Sequence, residues 1–246
     1  MSKHLLALLH GWGMNSRVFD VLAAQLNDRF DLLQMELPGH GGRPSLTTNT
    51  LQSWAAHVAA QLPERTTLLG WSLGGQVAMR IALDTPEKIA RLILVSSTPK
   101  FVVTGDWQAG IPVWYLQDFG AQLQADPCAT LSRFLMLQTR SASAQKSLLE
   151  QLRATFFAAP MAESLALTAG LEMLLQTDLR EAAARITHPT LVLHGGLDSL
   201  TPPEAGAWLA EAIPAAQHQV IDRAAHAPFL SHTGEVAEAI RRFAHD

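Results

Sequence analysis

Four short apolar runs in the first hundred residues, 5–9, 31–35, 67–70 and 92–95, are separated by stretches 18–26, 51–62 and 73–83, in which apolar residues recur at three and four. This alternation limits the fold more than any other feature. Neighbouring parallel strands cannot be joined by tight turns, and a helix that buries one apolar stripe against the sheet is the usual crossover. An α/β fold is therefore expected, a mostly parallel sheet with helices on both faces. Two further strand-helix units, 190–194 with 203–213 and 217–221 with 234–243, bring the expected strands to six. Residues 99–186 break the rhythm. Pro99, Pro112, Pro127 and Pro160 punctuate stretches that read as helices, 129–139 and 144–157 among them, and no credible strand lies there. The expected organisation is a core of residues 1–98 and 187–246, with 99–186 a helical cap between two strands. Such a cap covers the carboxyl ends of the strands, where open α/β sheets bind ligands. The alternative is a separate helical domain, whose isolated core would be small.

Composition removes several function classes. With 246 residues, 48% of them hydrophobic, the chain can bury one large core. A net charge of -4 offers no basic field for nucleic acid. No apolar run approaches the ~18 residues that mark a bilayer span. Residues 5–9 are too short for a signal h-region and run into His10-Gly11-Trp12-Gly13 without a small-residue cleavage site. Cys128 is the only cysteine, so neither an internal disulfide nor a cysteine zinc site can form, and no metal-ligand spacing such as His-Glu-x-x-His occurs. A cytoplasmic monomer is expected, with no nucleic-acid or membrane partner and no metal.

The chemistry centres on Gly70-Trp71-Ser72-Leu73-Gly74, which follows the run 67–70 and opens a helical stretch. A serine hydroxyl is a poor nucleophile. Hydrolases hold it on a strained strand-to-helix turn, exposed to a base, with the next backbone N–H aimed at the developing oxyanion. The plainer alternative is a Gly-rich turn whose serine caps the helix. A serine turn of this kind needs an acid and a base in the chain order Ser, Asp or Glu, His. Asp198 lies just past the strand 190–194 in His194-Gly195-Gly196-Leu197-Asp198, and His226 lies on a loop after the last strand in Ala224-Ala225-His226-Ala227-Pro228-Phe229. An N-cap role is the alternative for Asp198. Among the other histidines His232 is the nearest competitor. Trp12, after the first strand, is expected to donate a backbone N–H to the oxyanion, with Leu73 donating the second, and His10 to brace that loop.

These motifs, together with Glu36-Leu37-Pro38-Gly39-His40-Gly41, resemble the α/β-hydrolase superfamily from end to end. More narrowly, the chain resembles the pimeloyl-[acyl-carrier protein] methyl ester esterases, carboxylesterases of biotin biosynthesis. The narrower likeness rests on Arg133-Phe134-Leu135-Met136-Leu137-Gln138-Thr139, on Gly170-Leu171-Glu172-Met173-Leu174 with Thr177-Asp178-Leu179-Arg180, and on residues 224–232. The resemblance implies a Ser72-Asp198-His226 triad that needs no cofactor. It also implies substrate contacts by Trp12, Ser72, Leu73, Phe134, Leu135, Met136, Leu137, Gln138 and His226. The partner it implies is an acyl-carrier protein bearing the ester, met through basic cap residues; Arg133, Arg140, Lys146 and Arg153 stand against Glu150 between positions 129 and 159, a balance of 4 - 1 = +3. Few residues precede the first strand, so the edge strands that usually come before it are expected to be missing or shortened. Other hydrolases of the superfamily remain open, among them a general short-chain carboxylesterase, a carbon-carbon bond hydrolase and a perhydrolase. So does a non-catalytic binding protein of the same fold.

Overall fold

The computed structural model describes residues 3–138, 145–157 and 159–245. Six strands, β1 (His4–Leu9), β2 (Phe30–Met35), β3 (Thr66–Trp71), β4 (Ile89–Val95), β5 (Thr190–Gly195) and β6 (Ala216–Ile221), form one sheet in the order β2-β1-β3-β4-β5-β6. Every neighbouring pair is parallel. These are the six runs read from the sequence, each longer by a residue or more: β1, β2, β4 and β6 at the amino end, β5 at the carboxyl end and β3 at both. β3 and β5 are buried along their whole length, as strands covered on both faces must be. The edge strand β6 instead presents Gln217 and His218 to solvent, side chains that discourage pairing with another chain. No strand precedes β1 among the described residues.

Helices α1 (Asp20–Leu26), α2 (Leu51–Ala59), α3 (Leu73–Asp84), α9 (Pro203–Ala212) and α11 (Thr233–His245) flank the sheet, with the one-turn α10 (Pro228–Ser231) leading into α11. Between β4 and β5 come α4 (Val113–Ala125), α5 (Pro127–Gln138), α6 (Gln145–Phe157), α7 (Ser164–Gln176) and the short α8 (Arg180–Ala183). The described part of this insertion holds only isolated bridges, Lys100 with Asp178, Val102 with Ile111 and Thr104 with Trp107. Its two ends are tied together. Lys100 Nζ lies 3.0 Å from Asp178, and Arg180 pairs with Asp178 at 2.7 Å and Asp106 at 3.0 Å while covering the Trp107 ring. The insertion also docks on the loops after β1 and β2. The Trp12 indole donates to the Leu167 carbonyl (2.8 Å), and the Glu163 N–H donates to the Gly39 carbonyl (2.8 Å).

Strand order fixes where chemistry can sit. The chain leaves β1 toward β2 on one side and resumes at β3 on the other, so β1 and β3 flank the switch point at which open sheets form a crevice. Their register pairs Leu9 with Gly70. The loop carrying Trp12 and the turn carrying Ser72 therefore emerge side by side.

Candidate active site

Ser72 joins β3 to α3 with φ 55° and ψ -121°, a conformation that costs a non-glycine residue about 1–3 kcal/mol. The surroundings hold it there. The Ser72 N–H donates to the Val95 carbonyl (3.0 Å), and the Ser72 carbonyl accepts from the Gly75 N–H (2.9 Å), the Gln76 N–H (3.3 Å) and Ser97 Oγ (2.9 Å). Two glycines of the motif are required by space. A Cβ on Gly70 would strike the Gly74 backbone, and one on Gly74 would strike the carbonyls of Leu9 and His10. With this turn Ser72 makes no side-chain capping bond to α3, so the capping alternative has no support in the geometry.

Asp198 and His226 meet in the interior. Asp198 Oδ2 lies 2.8 Å from His226 Nδ1, and the two residues are 5% and 1% exposed. The Leu200 and Thr201 N–H groups donate to Asp198 Oδ1 at 2.9 and 3.0 Å, and Thr201 Oγ1 donates to Oδ2 at 2.8 Å. Burial alone pushes the Asp198 carboxyl up. The charge and hydrogen bond of His226 and the neighbouring donors outweigh it and hold the group below its ordinary value, hence ionised. A carboxylate on Nδ1 leaves Nε2 as the imidazole nitrogen free to take a proton.

Small residues let the His226 loop cross the sheet's carboxyl edge. A Cβ on Gly195 would strike the Ala225 carbonyl, and the Leu197 N–H donates to the Ala224 carbonyl (2.9 Å). Trp71, next to Ser72, donates its indole N–H to the His226 carbonyl (2.9 Å), with the two rings 5.6 Å apart. Among the described residues Ser72 Oγ makes no hydrogen bond, to His226 or otherwise. Such bonds are often long in unliganded sites and tighten around substrate. His232 contacts Ser231 Oγ through Nδ1 at 2.9 Å and takes no part in this cluster.

Neither the Trp12 nor the Leu73 N–H has an acceptor among the described residues, the state in which a donor can receive a substrate oxygen. The Trp12 loop is braced from two sides. His10 Nδ1 lies 2.8 Å from the Gly11 carbonyl, and Nε2 lies 2.9 Å from Glu36, whose carboxylate also accepts from Ser16 Oγ (2.6 Å). His40 Nδ1 donates to the Pro38 carbonyl (2.9 Å), and His40 Nε2 accepts from the Gly13 N–H (3.2 Å). That pattern requires a neutral His40 ring, and burial lowers its pKa to about 3.

Burial likewise lowers His194 to about 4, and neither of its ring nitrogens has a hydrogen-bond partner among the described residues. Both histidines titrate near 6.5 when unfolded, so from about pH 6.5 downward the unfolded chain binds protons the native chain refuses. Stability is expected to be full above pH 6.5 and to fall with acid, each histidine costing about 2 kcal/mol by pH 5. Urea unfolding at pH 7.5 and pH 5 measures this, and equal stabilities would contradict it.

Beside Trp12 lies a narrow apolar crevice of only ≈ 20 Å³, walled by Phe101, Ile111, Tyr115, Leu116, Phe119, Phe134, Leu171, Leu174 and Leu200. Phe134 packs edge-on to the Trp12 indole at 4.9 Å, and a Cβ on Gly170 would strike that indole. Leu135 is buried in the core. Met136 is 40% exposed and lines a different groove, with Arg133 and Gln122. Gln138 is buried and donates to the Phe134 carbonyl (3.3 Å). Leu137 belongs to α5, but its side chain is outside the described residues. Of the five α5 residues, the crevice therefore receives Phe134, and Met136 points elsewhere. A wider groove of ≈ 410 Å³ lies between α2 and α7, lined by Asn49, Arg80, Glu172 and Gln176 among others, with no serine or histidine in its lining.

Arg133, Lys146 and Arg153 are exposed; Arg140 lies outside the described residues. Arg133 bonds to Gln122. On α6, Lys146 and Arg153 are seven residues apart and share a face with Glu150, which halves the positive excess there. The roles of Ser97, Trp71 and Thr201 are not marked in the sequence. The nearest thing to a signal for Thr201 is a hydroxyl three positions after the acid, and Ser97 sits in a run of three hydroxyl residues where β4 ends.

The alpha/beta hydrolase family profile matches residues 6–239. Among curated relatives, the pimeloyl-[acyl-carrier protein] methyl ester esterase of Nitrosomonas europaea is 39% identical over 92% of this chain and 90% of its own length. That of Citrobacter koseri is 40% identical over 96% of this chain and 91% of its own. Among solved structures, an esterase from Exiguobacterium antarcticum superposes with a TM-score of 0.91 at 22% identity, covering 100% of this chain and 93% of that one. A bromoperoxidase from Bacillus anthracis gives 0.90 at 20%, again over 100% and 93%. The last two likenesses speak to fold alone. The fold, the profile and the relatives agree: this chain belongs to the alpha/beta hydrolase family, as a relative of the pimeloyl-[acyl-carrier protein] methyl ester esterases.

Proposed function

We propose that the chain is a serine carboxylesterase that hydrolyses the methyl ester of a pimeloyl chain carried as a thioester on acyl-carrier protein, in biotin synthesis. The observation that carries this is the buried Asp198–His226 pair anchored through Trp71 beside the strained Ser72 turn, with Trp12 of the neighbouring loop walling a crevice lined only by apolar and aromatic side chains. The curated relatives bear that esterase name. Residues 99–186 serve as the cap over the site. Ser72 Oγ attacks the ester carbonyl as His226 Nε2 takes its proton, and the Trp12 and Leu73 N–H groups receive the oxyanion. His226 then protonates the departing methanol. Water, deprotonated by the same imidazole, attacks the acyl-enzyme and frees the carboxylic acid, while Asp198 keeps the ring oriented. No step calls for a cofactor.

The apolar lining of the crevice suits the methylene chain, which must part its walls to enter between Trp12 and Phe134. Arg133, Lys146 and Arg153 are the described cations available to an acidic carrier. A single cysteine and a mild net charge fit a monomer in the reducing cytoplasm. Rates with carrier-bound methyl esters of graded chain length are the test. The pimeloyl ester is expected to be the best substrate; equal kcat/KM across lengths would make this a general carboxylesterase.

A further inference from the structure

Thr201 is buried three positions after Asp198, and its hydroxyl lies among three polar atoms. Oγ1 is 2.8 Å from Asp198 Oδ2, 3.0 Å from the Ser96 carbonyl and 3.2 Å from His226 Nδ1. One hydroxyl proton cannot serve two acceptors at once. The shorter contact is to an ionised oxygen, and a charge-assisted bond is the stronger, so the proton goes to Asp198. The buried carboxylate then receives four donors: two backbone N–H groups on Oδ1, and the imidazole N–H and the hydroxyl on Oδ2.

We propose that Thr201 is a positioning residue that sets the basicity of His226 through Asp198, by fixing the shared oxygen and withdrawing part of its charge. This rests on His226 being the base. A carboxylate satisfied by a fourth donor holds an imidazolium less tightly, so the hydroxyl keeps His226 unprotonated to lower pH. The titratable groups around the pair are few. His194 on β5 faces both Asp198 and His226, with His218 on β6 behind it at 6.4 Å, while β3 and the end of β4 contribute Trp71, Ser96 and Ser97, none of them charged. His194 stays neutral above about pH 5 and does not mask the effect.

The test is the pH dependence of kcat/KM for a p-nitrophenyl ester. In Thr201→Val the acidic limb is expected to move to higher pH by about half a pH unit or more, with KM at the plateau unchanged. Thr201→Ser keeps the hydroxyl and is expected to return the limb to its wild-type position. Thr201→Ala, which places no methyl against the carboxylate, is expected to move it as valine does and stands in should valine not fold. A limb that stays put in the variants lacking the hydroxyl, or a serine variant that behaves like them, overturns the proposal. If His226→Ala retains turnover, the underlying reading of the base has failed instead, and the two failures are distinguishable.

Discussion

Replacement of Ser72 by alanine is expected to lower kcat for short p-nitrophenyl esters by about 10⁶-fold, the order found when a serine hydrolase loses its nucleophile. The hydroxyl supplies the new bond to the acyl carbon, and no other group near it can take that role. Ser97, the nearest hydroxyl partner of the turn, donates to the Ser72 carbonyl (2.9 Å) and is buried, so it cannot substitute. The fold should survive, because every hydrogen bond that holds the turn uses the backbone of residue 72. Steady-state rates on variant protein whose circular dichroism matches wild type check this, and residual turnover within tenfold of wild type would contradict it.

Asp198→Asn is expected to lower kcat by about 10⁴-fold with little change in KM. The amide keeps the size of the side chain but can turn an NH₂ toward His226 Nδ1. That favours the tautomer with its proton on Nε2, the nitrogen required to accept from Ser72. The two backbone N–H groups on Oδ1 enforce that orientation, because they keep an acceptor only with the amide oxygen in the Oδ1 place, while the Thr201 hydroxyl on Oδ2 loses its acceptor. Parallel determination of kcat and KM separates this from a binding defect. A rise in KM alone would mean that Asp198 serves substrate binding and not the imidazole.

The sheet was legible because hydrophobic period reports which faces are covered. The four inner strands follow from apolar runs largely buried on both faces, the half-exposed edge strands β2 and β6 from their place in the strand-helix alternation, and the motif glycines at 70 and 74 are dictated by backbone approach. The insertion between β4 and β5 was less legible. Phe134, Leu135, Met136 and Leu137 form an unbroken apolar run, which carries no periodic signal of which side faces the crevice. At about 100° per residue Met136 stands about 200° from Phe134, so one of them had to face away. Phe134 meets Trp12 and Met136 meets solvent. The helices at 113–125 and 164–176, which supply Tyr115, Phe119 and Leu171 to the crevice, were marked only by punctuating prolines. Side chains that act by holding others, Thr201 and Ser97 foremost, were hidden because hydroxyl residues are common at strand ends and turns, and only distances set these two apart.

Covalent trapping addresses the central claim most directly. Wild-type protein treated with a fluorophosphonate, digested and mapped by mass spectrometry should carry one phosphonyl group, on Ser72 in the peptide spanning the β3–α3 turn, and substrate ester should slow its formation. An adduct on any other side chain, or none while ester turnover persists, would contradict the assignment of Ser72, His226 and Asp198 to the reaction.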